Sequence, residues 1–236
     1  MPFSGGYFLT MAVDRPEYVT AELLPSRLLS LSDCICDFIP NVWAVEWASV
    51  EAEQRVAEAL KFNVPSSALP DIVNWTTERM NTGALGWPCV FFSTRDARDF
   101  ARRFLNVIPD LKLLGIALHT DLVDEFLSEE KPGPSQGEPG IYTAISSRKP
   151  LEPGGSELGW EVLCYEYGGF HSWLCNSLES DVAKKCGIKP GAAGFIASAN
   201  DALAAAEYCG REDVGAEPGF WAPWLVMEYS LGAVEA

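Results

Sequence analysis

A three-part unit between residues 87 and 118 most constrains the fold of this chain. Trp87 to Phe92 is an apolar run that predicts a buried strand, and Leu111 to Leu118 is another. Thr94 is expected to cap a helix between them. This helix has apolar residues at the spacing of one helical face, namely Ala97, Phe100, Ala101, Phe104 and Leu105. An amphipathic helix between two apolar strands predicts a sheet with helices packed against it.

The same signature occurs a second time near the C-terminus. Residues 195–209 align without gaps on residues 90–104, and Ser198 then corresponds to Ser93. A serine cap followed by an early acid is a general helix-start signal, which is one explanation of the match. The other explanation is a duplication that produced two related α/β halves.

Sequence patterns elsewhere predict further strands and helices. Strands are expected at Tyr7 to Val13, Ile141 to Ser146, Leu158 to Tyr167, Ala193 to Ala197 and Trp221 to Tyr229. Helices are expected from Ser49 to about Lys61, from Pro70 to Met80, from a Thr120 cap, and from Ser198 to Cys209. In the first of these helices, Val56, Ala59 and Leu60 are expected to face inward. The segment from Cys34 to Ile39 fits a strand or a short helix. These elements predict an α/β or α+β fold, in which helices flank a mixed sheet.

Residues 129–140 are the best candidate for a linker or an exposed loop. They contain three Pro and three Gly and no apolar anchor. This loop divides the chain into an N-terminal subdomain, 1–128, and an acidic C-terminal subdomain, 141–236. One compact domain is the alternative.

The chain is strongly acidic, and the acidity is uneven. It has 17 Lys and Arg against 33 Asp and Glu, a formal net charge of −16, of which residues 119–236 contribute −12. Nucleic acids and anionic membranes are therefore disfavoured as partners, because both attract Lys and Arg. No apolar run reaches the roughly 20 residues that a membrane span needs.

The start of the chain and its cysteines predict a cytoplasmic protein. The first residues carry no basic leader of the kind that begins a signal peptide. The seven cysteines are scattered and odd in number, which favours reduced thiols. Cys34 and Cys36 lack the C-x-x-C redox spacing and are interpreted as structural.

The segment 159–179 holds most of the candidate chemistry. A hydrolase would use Cys175 or Ser172 as the nucleophile with His171 as the base. A metal site would draw on Cys164, His171, Cys175 and Cys186, although the chain lacks the paired C-x2-C signature of strong zinc motifs. Core packing of Phe170, Trp173 and Leu174 is the third interpretation. Because no phosphate-binding glycine loop occurs, the sequence predicts no cofactor.

The acidic second half is also rich in aromatic residues, which favour binding surfaces. A carboxylate-rich surface with aromatic anchors suits a basic protein partner. The predicted contact residues are Glu161, Tyr165, Glu166, Tyr167, Trp173, Trp221 and Trp224. Two alternatives remain open: the charge serves solubility alone, or the C-terminal strand joins copies of the chain into a homo-oligomer.

Three stretches carry a family resemblance: Leu158–Leu163, Phe170–Asn176 and Trp221–Tyr229. They resemble bacterial proteins that are themselves similar to immunity proteins of polymorphic toxin systems. The resemblance implies a cytosolic, non-catalytic protein that neutralises a toxin by direct binding through its second half. It transfers no catalytic residue.

Overall fold

The computed structural model describes residues 2–19, 24–38, 40, 49–88, 90–134 and 137–232. Within these ranges the strands are β1 Phe3–Met11, β2 Val13–Asp14, β3 Arg27–Leu28, β4 Leu85–Gly86, β5 Val90–Phe91, β6 Leu111–Leu118, β7 Ser156–Glu166, β8 Gly169–Ser172 and β9 Phe220–Tyr229. The α-helices are α1 Ser49–Lys61, α2 Leu69–Asn81, α3 Thr94–Phe104, α4 Val123–Glu129, α5 Gly140–Ser146, α6 Glu179–Cys186 and α7 Ala199–Cys209.

Seven strands form one sheet in the order β4-β5-β1-β6-β9-β7-β8, while β2 and β3 form a separate pair. The predicted α+β class, a sheet flanked by helices, is confirmed. The sheet is antiparallel at each pairing and not mixed. Although α3 connects β5 to β6, these strands lie on opposite sides of β1, so the strand–helix–strand unit does not create a parallel neighbour.

The two halves of the sheet repeat the same register. Tyr7 of β1 pairs with Phe91, and Trp160 of β7 pairs with Ile196. Phe91 and Ile196 are matched positions in the alignment of residues 90–104 with 195–209. The central strands β6 and β9 are direct neighbours, so the halves are arranged about them with approximate two-fold symmetry. The subdomain boundaries themselves stay a prediction.

Alternate residues of the strands face two different core layers. One layer packs Tyr7 and Leu113 against α1, α2 and α3, and its counterpart in the second half packs Trp160 against α6 and α7. The opposite layer packs Leu114 and Trp224 against α4 and α5. Because successive strand residues point to opposite faces, both faces of the sheet are covered.

The predicted helices at residues 70–80 and 198–209 and the strands at 111–118, 158–167 and 221–229 are confirmed within a few residues. Helix α1 spans the predicted Ser49 to Lys61, yet only Ala59 of its predicted inward side chains is buried. Leu60 is half exposed, which corrects that prediction, and Val56 is partly buried.

The capping residues differ from the prediction by one position. Ser93, not Thr94, caps α3, because its extended backbone lets Oγ accept a hydrogen bond from the Asp96 amide. Likewise His119, not Thr120, precedes the short helical turn Thr120–Leu122 that leads into α4.

Three predicted strands are wrong or shortened. Residues 141–146 are helical, since Ile141, Ala144 and Ile145 are buried at helical spacing. At 193–197 only Ile196 makes a strand-like bridge, because Ala193 has φ +59°. The run from Trp87 to Phe92 contributes only β5, and Cys89 lies outside the described residues.

The segment from Cys34 to Ile39 is neither strand nor helix where it is described. Residues 33–35 form a turn, and Ile39 lies outside the described residues. Within the described part of the chain, no helix is both long enough and apolar enough to cross a bilayer.

Candidate functional site

Four of the seven predicted contact residues are buried and are therefore wrong as a binding surface. Trp173 and Trp224 have no exposed surface, and Tyr165 and Glu161 are 1% exposed. Core layers cover both faces of the sheet, so Glu161, Tyr165 and Trp224 are buried on whichever face they lie, and Trp173, which follows β8, packs in the core layer of α6 and α7. Trp224 and Tyr165, for example, pack edge-on around Phe126 of α4.

The other three predicted contact residues are accessible. The side chain of Glu166 is 61% exposed, and Tyr167, which follows it at the end of β7, is 42% exposed. Trp221 is half-buried at the start of β9, where its indole Nε1 donates a 2.9 Å hydrogen bond to the carbonyl of Glu217. This bond holds the indole ring in a fixed orientation.

Trp221 lines a surface groove of about 270 Å³ between α4, α7 and the start of β9. Three exposed carboxylates share the groove: Glu125 and Glu129 come from α4, and Glu207 comes from α7. We name this the acidic groove, defined by Leu122, Glu125, Glu129, Ala206, Glu207, Gly210, Gly219, Phe220 and Trp221. None of these described lining residues is basic.

Carboxylates continue beyond one end of the acidic groove. The pKa of Glu130 is raised, first by burial and then by the negative charges of Glu129 and Glu166. Glu129 belongs to the groove, so the carboxylates of the groove and of the end of β7 are electrostatic neighbours. Such a concentration of like charge favours a cationic partner.

A second cluster lies where the turn at residues 33–35 meets β8. The thiol of Cys34 is 3.4 Å from Nδ1 of His171. The ligand atoms of Cys34, His171 and Cys175 all lie within 4.8 Å of one another. We name these three residues the Cys–His cluster. Cys34 is exposed and the other two are partly buried, so the cluster opens to solvent on one side.

Two carboxylates flank the imidazole of the Cys–His cluster. Glu166 Oε2 lies 3.3 Å from His171 Nε2, and Glu217 Oε1 lies 3.7 Å from Nδ1. Glu217 Oε2 is buried and has no hydrogen-bond partner among the described residues. The imidazole is therefore oriented by Glu166 on one side and faces two thiols and a carboxylate on the other.

The turn after β8 positions Cys175. Its amide and its thiol both donate to the carbonyl of Ser172, at 3.1 and 3.0 Å. Asn176 Nδ2 lies 3.6 Å from the Cys175 sulfur, and Ser32 Oγ lies 3.8 Å from it. Burial, together with the nearby Cys34 and Glu217, raises the pKa of the Cys175 thiol to about 12, although its hydrogen bonds with Ser32 and Ser172 act in the opposite direction. The free cysteine is thus a thiol at neutral pH.

The predicted nucleophile arrangement is not favoured by this geometry. A catalytic dyad needs a nucleophile held against its base. Ser172 is fully buried, and its hydroxyl accepts a hydrogen bond from the Leu174 amide. The close thiol partner of His171 is Cys34, a residue whose spacing from Cys36 predicts a structural role.

The predicted metal set of Cys164, His171, Cys175 and Cys186 is only half assembled. Within the described residues, the single group of three metal-ligating side chains contains His171 and Cys175, but its third member is Cys34. Cys164 is directly opposite His171 in the β7–β8 pair, yet its buried thiol contacts the Glu217 carbonyl. Cys186 ends α6, and the cluster does not include it. No local signal in the sequence connects Cys34 with His171.

Glu161 is buried and binds the segment before the Cys34 turn, and it does not form part of the surface as predicted. Ser30 Oγ donates to one carboxylate oxygen, and the Leu31 amide donates to the other at 3.2 Å. Burial raises the pKa of Glu161 from 4.5 to about 7 despite these bonds. The carboxyl group fastens the segment at residues 30–31 to β7, which brings the neighbouring Cys34 turn close to β8.

Comparison of the chain with family models, curated proteins and solved structures gave no match.

Proposed function

We propose that this protein is a non-catalytic binding protein that docks a basic protein partner in the acidic groove. The observation that carries the proposal is the groove itself, which is lined by three carboxylates and the indole of Trp221 and by no basic residue among those described. The expected occupant is an exposed Lys- or Arg-bearing segment of the partner.

The groove supports this chemistry in two ways. A guanidinium or ammonium group is attracted to the face of a tryptophan ring when it lies within about 6 Å. Glu125, Glu129 and Glu207 would pair with such a group or with its cationic neighbours. The excess negative charge of the second half would also increase the rate of encounter with a cationic partner at low salt.

The resemblance to immunity proteins refines this proposal. On that basis the partner would be a basic toxin, and binding would block it without any covalent chemistry. Trp221 belongs to one of the three stretches that carry the resemblance. The proposed contact surface consists of Trp221, Glu166, Tyr167 and the carboxylates of the acidic groove. The buried residues Glu161, Tyr165, Trp173 and Trp224 do not belong to it.

A synthetic Lys/Arg-rich peptide tests the groove directly. Isothermal titration at low salt should show binding that weakens as salt is added, whereas an Asp/Glu-rich peptide should not bind. The triple variant Glu125→Gln, Glu129→Gln, Glu207→Gln should bind the cationic peptide about tenfold more weakly, because each exposed ion pair contributes at most ~1 kcal/mol. Trp221→Ala should also weaken binding.

A charge-matched variant serves as the control. Glu53→Gln, Asp71→Asn, Glu78→Gln removes three exposed carboxylates from α1 and α2 and leaves the acidic groove intact. It should keep at least half of the wild-type affinity. An equal loss in both triple variants would mean that net charge alone attracts the peptide, and the proposal of a specific docking groove would fail.

A further inference from the structure

We propose that Cys34, His171, Cys175 and Glu217 form a binding site for one Zn²⁺ ion. None of these four residues lines the acidic groove, although the Glu217 carbonyl accepts the hydrogen bond from the Trp221 indole of the groove. It differs from the metal set expected from the sequence, because Cys34 and Glu217 replace Cys164 and Cys186.

The distances from His171 Nδ1 to two of the other ligand atoms are close to those of tetrahedral coordination. With zinc–sulfur bonds near 2.3 Å and zinc–nitrogen or zinc–oxygen bonds near 2.0–2.2 Å, neighbouring ligand atoms lie roughly 3.3–3.8 Å apart. The Cys34 sulfur lies 3.4 Å from His171 Nδ1, and Glu217 Oε1 lies 3.7 Å from the same nitrogen. The Cys175 sulfur is within 4.8 Å of the Cys34 sulfur and a His171 ring nitrogen, whereas the Glu217 carboxylate lies outside this three-residue group. Side-chain rotations of both Cys175 and Glu217 would bring the four ligand atoms to tetrahedral spacing.

The donor types favour zinc over the other common divalent ions. Two thiolates and an imidazole are softer ligands than magnesium or calcium prefers. A carboxylate as the fourth ligand is common in zinc proteins. The buried Glu217 Oε2, which has no hydrogen-bond partner among the described residues, belongs to the carboxylate that faces the cluster.

The surrounding residues provide the support that metal ligands need. Ligating histidines usually donate their other ring N–H to a carboxylate, and Glu166 lies 3.3 Å from His171 Nε2. This contact leaves Nδ1 free to bind the ion. Asn176 Nδ2 and Ser32 Oγ both approach the Cys175 sulfur, at 3.6 and 3.8 Å, and each can donate a hydrogen bond to a thiolate.

Charge balance also favours a cation at this position. Glu166 and Glu217 both lie within 4 Å of the imidazole, and neither forms an ion pair with a Lys or Arg among the described residues. Binding replaces the two S–H bonds of Cys34 and Cys175 by two Zn–S bonds and releases two protons to solvent. His171 binds as the neutral imidazole with its proton on Nε2, and Glu217 binds as the carboxylate.

Titration of the reduced, chelator-treated protein with Co²⁺ tests the site. One equivalent should produce the visible ligand-field bands of tetrahedral cobalt and a near-ultraviolet thiolate charge-transfer band, and Zn²⁺ should displace it. Two protons should be released per ion in weakly buffered solution. Cys34→Ser and Cys175→Ser should each lower the affinity at least tenfold and weaken the charge-transfer band. Glu166→Gln should lower affinity about tenfold and leave the band in place.

Cys186→Ser is the matched control, because this cysteine is exposed and lies outside the cluster. It should bind Co²⁺ like the wild type. Failure of the wild type to give tetrahedral bands, or an unchanged spectrum and affinity in Cys34→Ser, would overturn the site. A Glu217→Gln variant with unaltered affinity and bands would overturn the assignment of the fourth ligand. Rapid, His171-dependent alkylation of Cys34 without any metal binding would instead indicate a nucleophilic cysteine.

Discussion

Ile116 of β6 and Val226 of β9 are direct partners at the centre of the sheet, and each lies opposite a bulge glycine on its other side. Gly6 pairs with Ile116, and Gly159 pairs with Val226. Both glycines follow a register shift and have positive φ angles, +103° and +132°. The same bulge therefore occurs at equivalent positions of both halves, where β1 and β7 pass the central strands.

Gly159→Ala should lower the free energy of unfolding by about 3 kcal/mol, because alanine is strained at this φ. In addition, its Cβ would lie 2.8 Å from the Ile196 carbonyl oxygen. Gly6→Ala should have a similar effect, since its Cβ would collide with the Val90 side chain. Urea denaturation measures both. Gly137→Ala has open space around it and should change stability by less than about 0.5 kcal/mol; a comparable loss there would contradict the explanation.

Removing the helix caps should destabilise both halves. Ser198→Ala is expected to cost about 1 kcal/mol, because the Asp201 amide loses its 3.4 Å hydrogen bond to Oγ. Ser93→Ala should cost more, since Ser93 Oγ also donates a 2.8 Å bond to the Asp96 carboxylate. Thermal or urea denaturation of the single variants provides the measurement. Ser128→Ala, at an exposed position within α4, should be neutral; a larger effect there than at Ser198 would refute the capping argument.

Glu161 should make stability depend on pH near neutrality. Its folded pKa of about 7 exceeds 4.5, so the folded state holds the proton more tightly than the unfolded chain does. The stabilisation is complete below pH 4.5 and is lost as the pH rises to about 7. Glu161→Gln remains neutral throughout. Between about pH 4 and pH 8, the free energy of unfolding of the wild type should therefore fall by about 3 kcal/mol relative to that of Glu161→Gln.

Urea denaturation at a series of pH values measures this shift. Burial also raises the pKa of Glu179, so the pH dependence of the wild type alone does not isolate Glu161. Glu157→Gln, an exposed position on the same strand, is the control and should parallel the wild type. Parallel curves for Glu161→Gln and wild type would show that Glu161 is ionised normally in the folded protein.

Substitution of Trp224 should mainly lower stability, whereas substitution of Trp221, three positions earlier on β9, should mainly weaken peptide binding. Trp224 is fully buried, so Trp224→Ala should lower the free energy of unfolding by about 3–5 kcal/mol. Trp221 is half-buried, and Trp221→Ala should cost less than about half as much while weakening binding of the cationic peptide. Denaturation and peptide titration together separate the two roles. A larger stability loss at Trp221 than at Trp224 would contradict the assignment of Trp221 to a surface groove.

The central elements were predictable because their signals are local. The apolar run of β6, the amphipathic pattern of α3 and the serine at the start of α7 each act through neighbours in the chain. The match between residues 90–104 and 195–209 also indicated where two similar units occur. This match does not predict how the two units pair in the sheet, because the pairing of Ile116 with Val226 joins segments that are far apart in the sequence.

The sequence by itself determined the strands β6, β7 and β9, the helices α2, α3 and α7, the class of fold and the uneven charge, since these depend on local spacing and composition. Only the tertiary structure decided which acidic and aromatic side chains are accessible. Trp221 and Trp224 are both tryptophans of strand β9, but they lie on opposite faces of the sheet. Trp224 is buried in the core, and Trp221 lines the acidic groove. Tertiary structure also brought Cys34 to His171, across 137 positions, because the buried Glu161 fastens the segment before Cys34 to β7. Contacts between distant segments depend on packing and burial, which have no local signature in the chain.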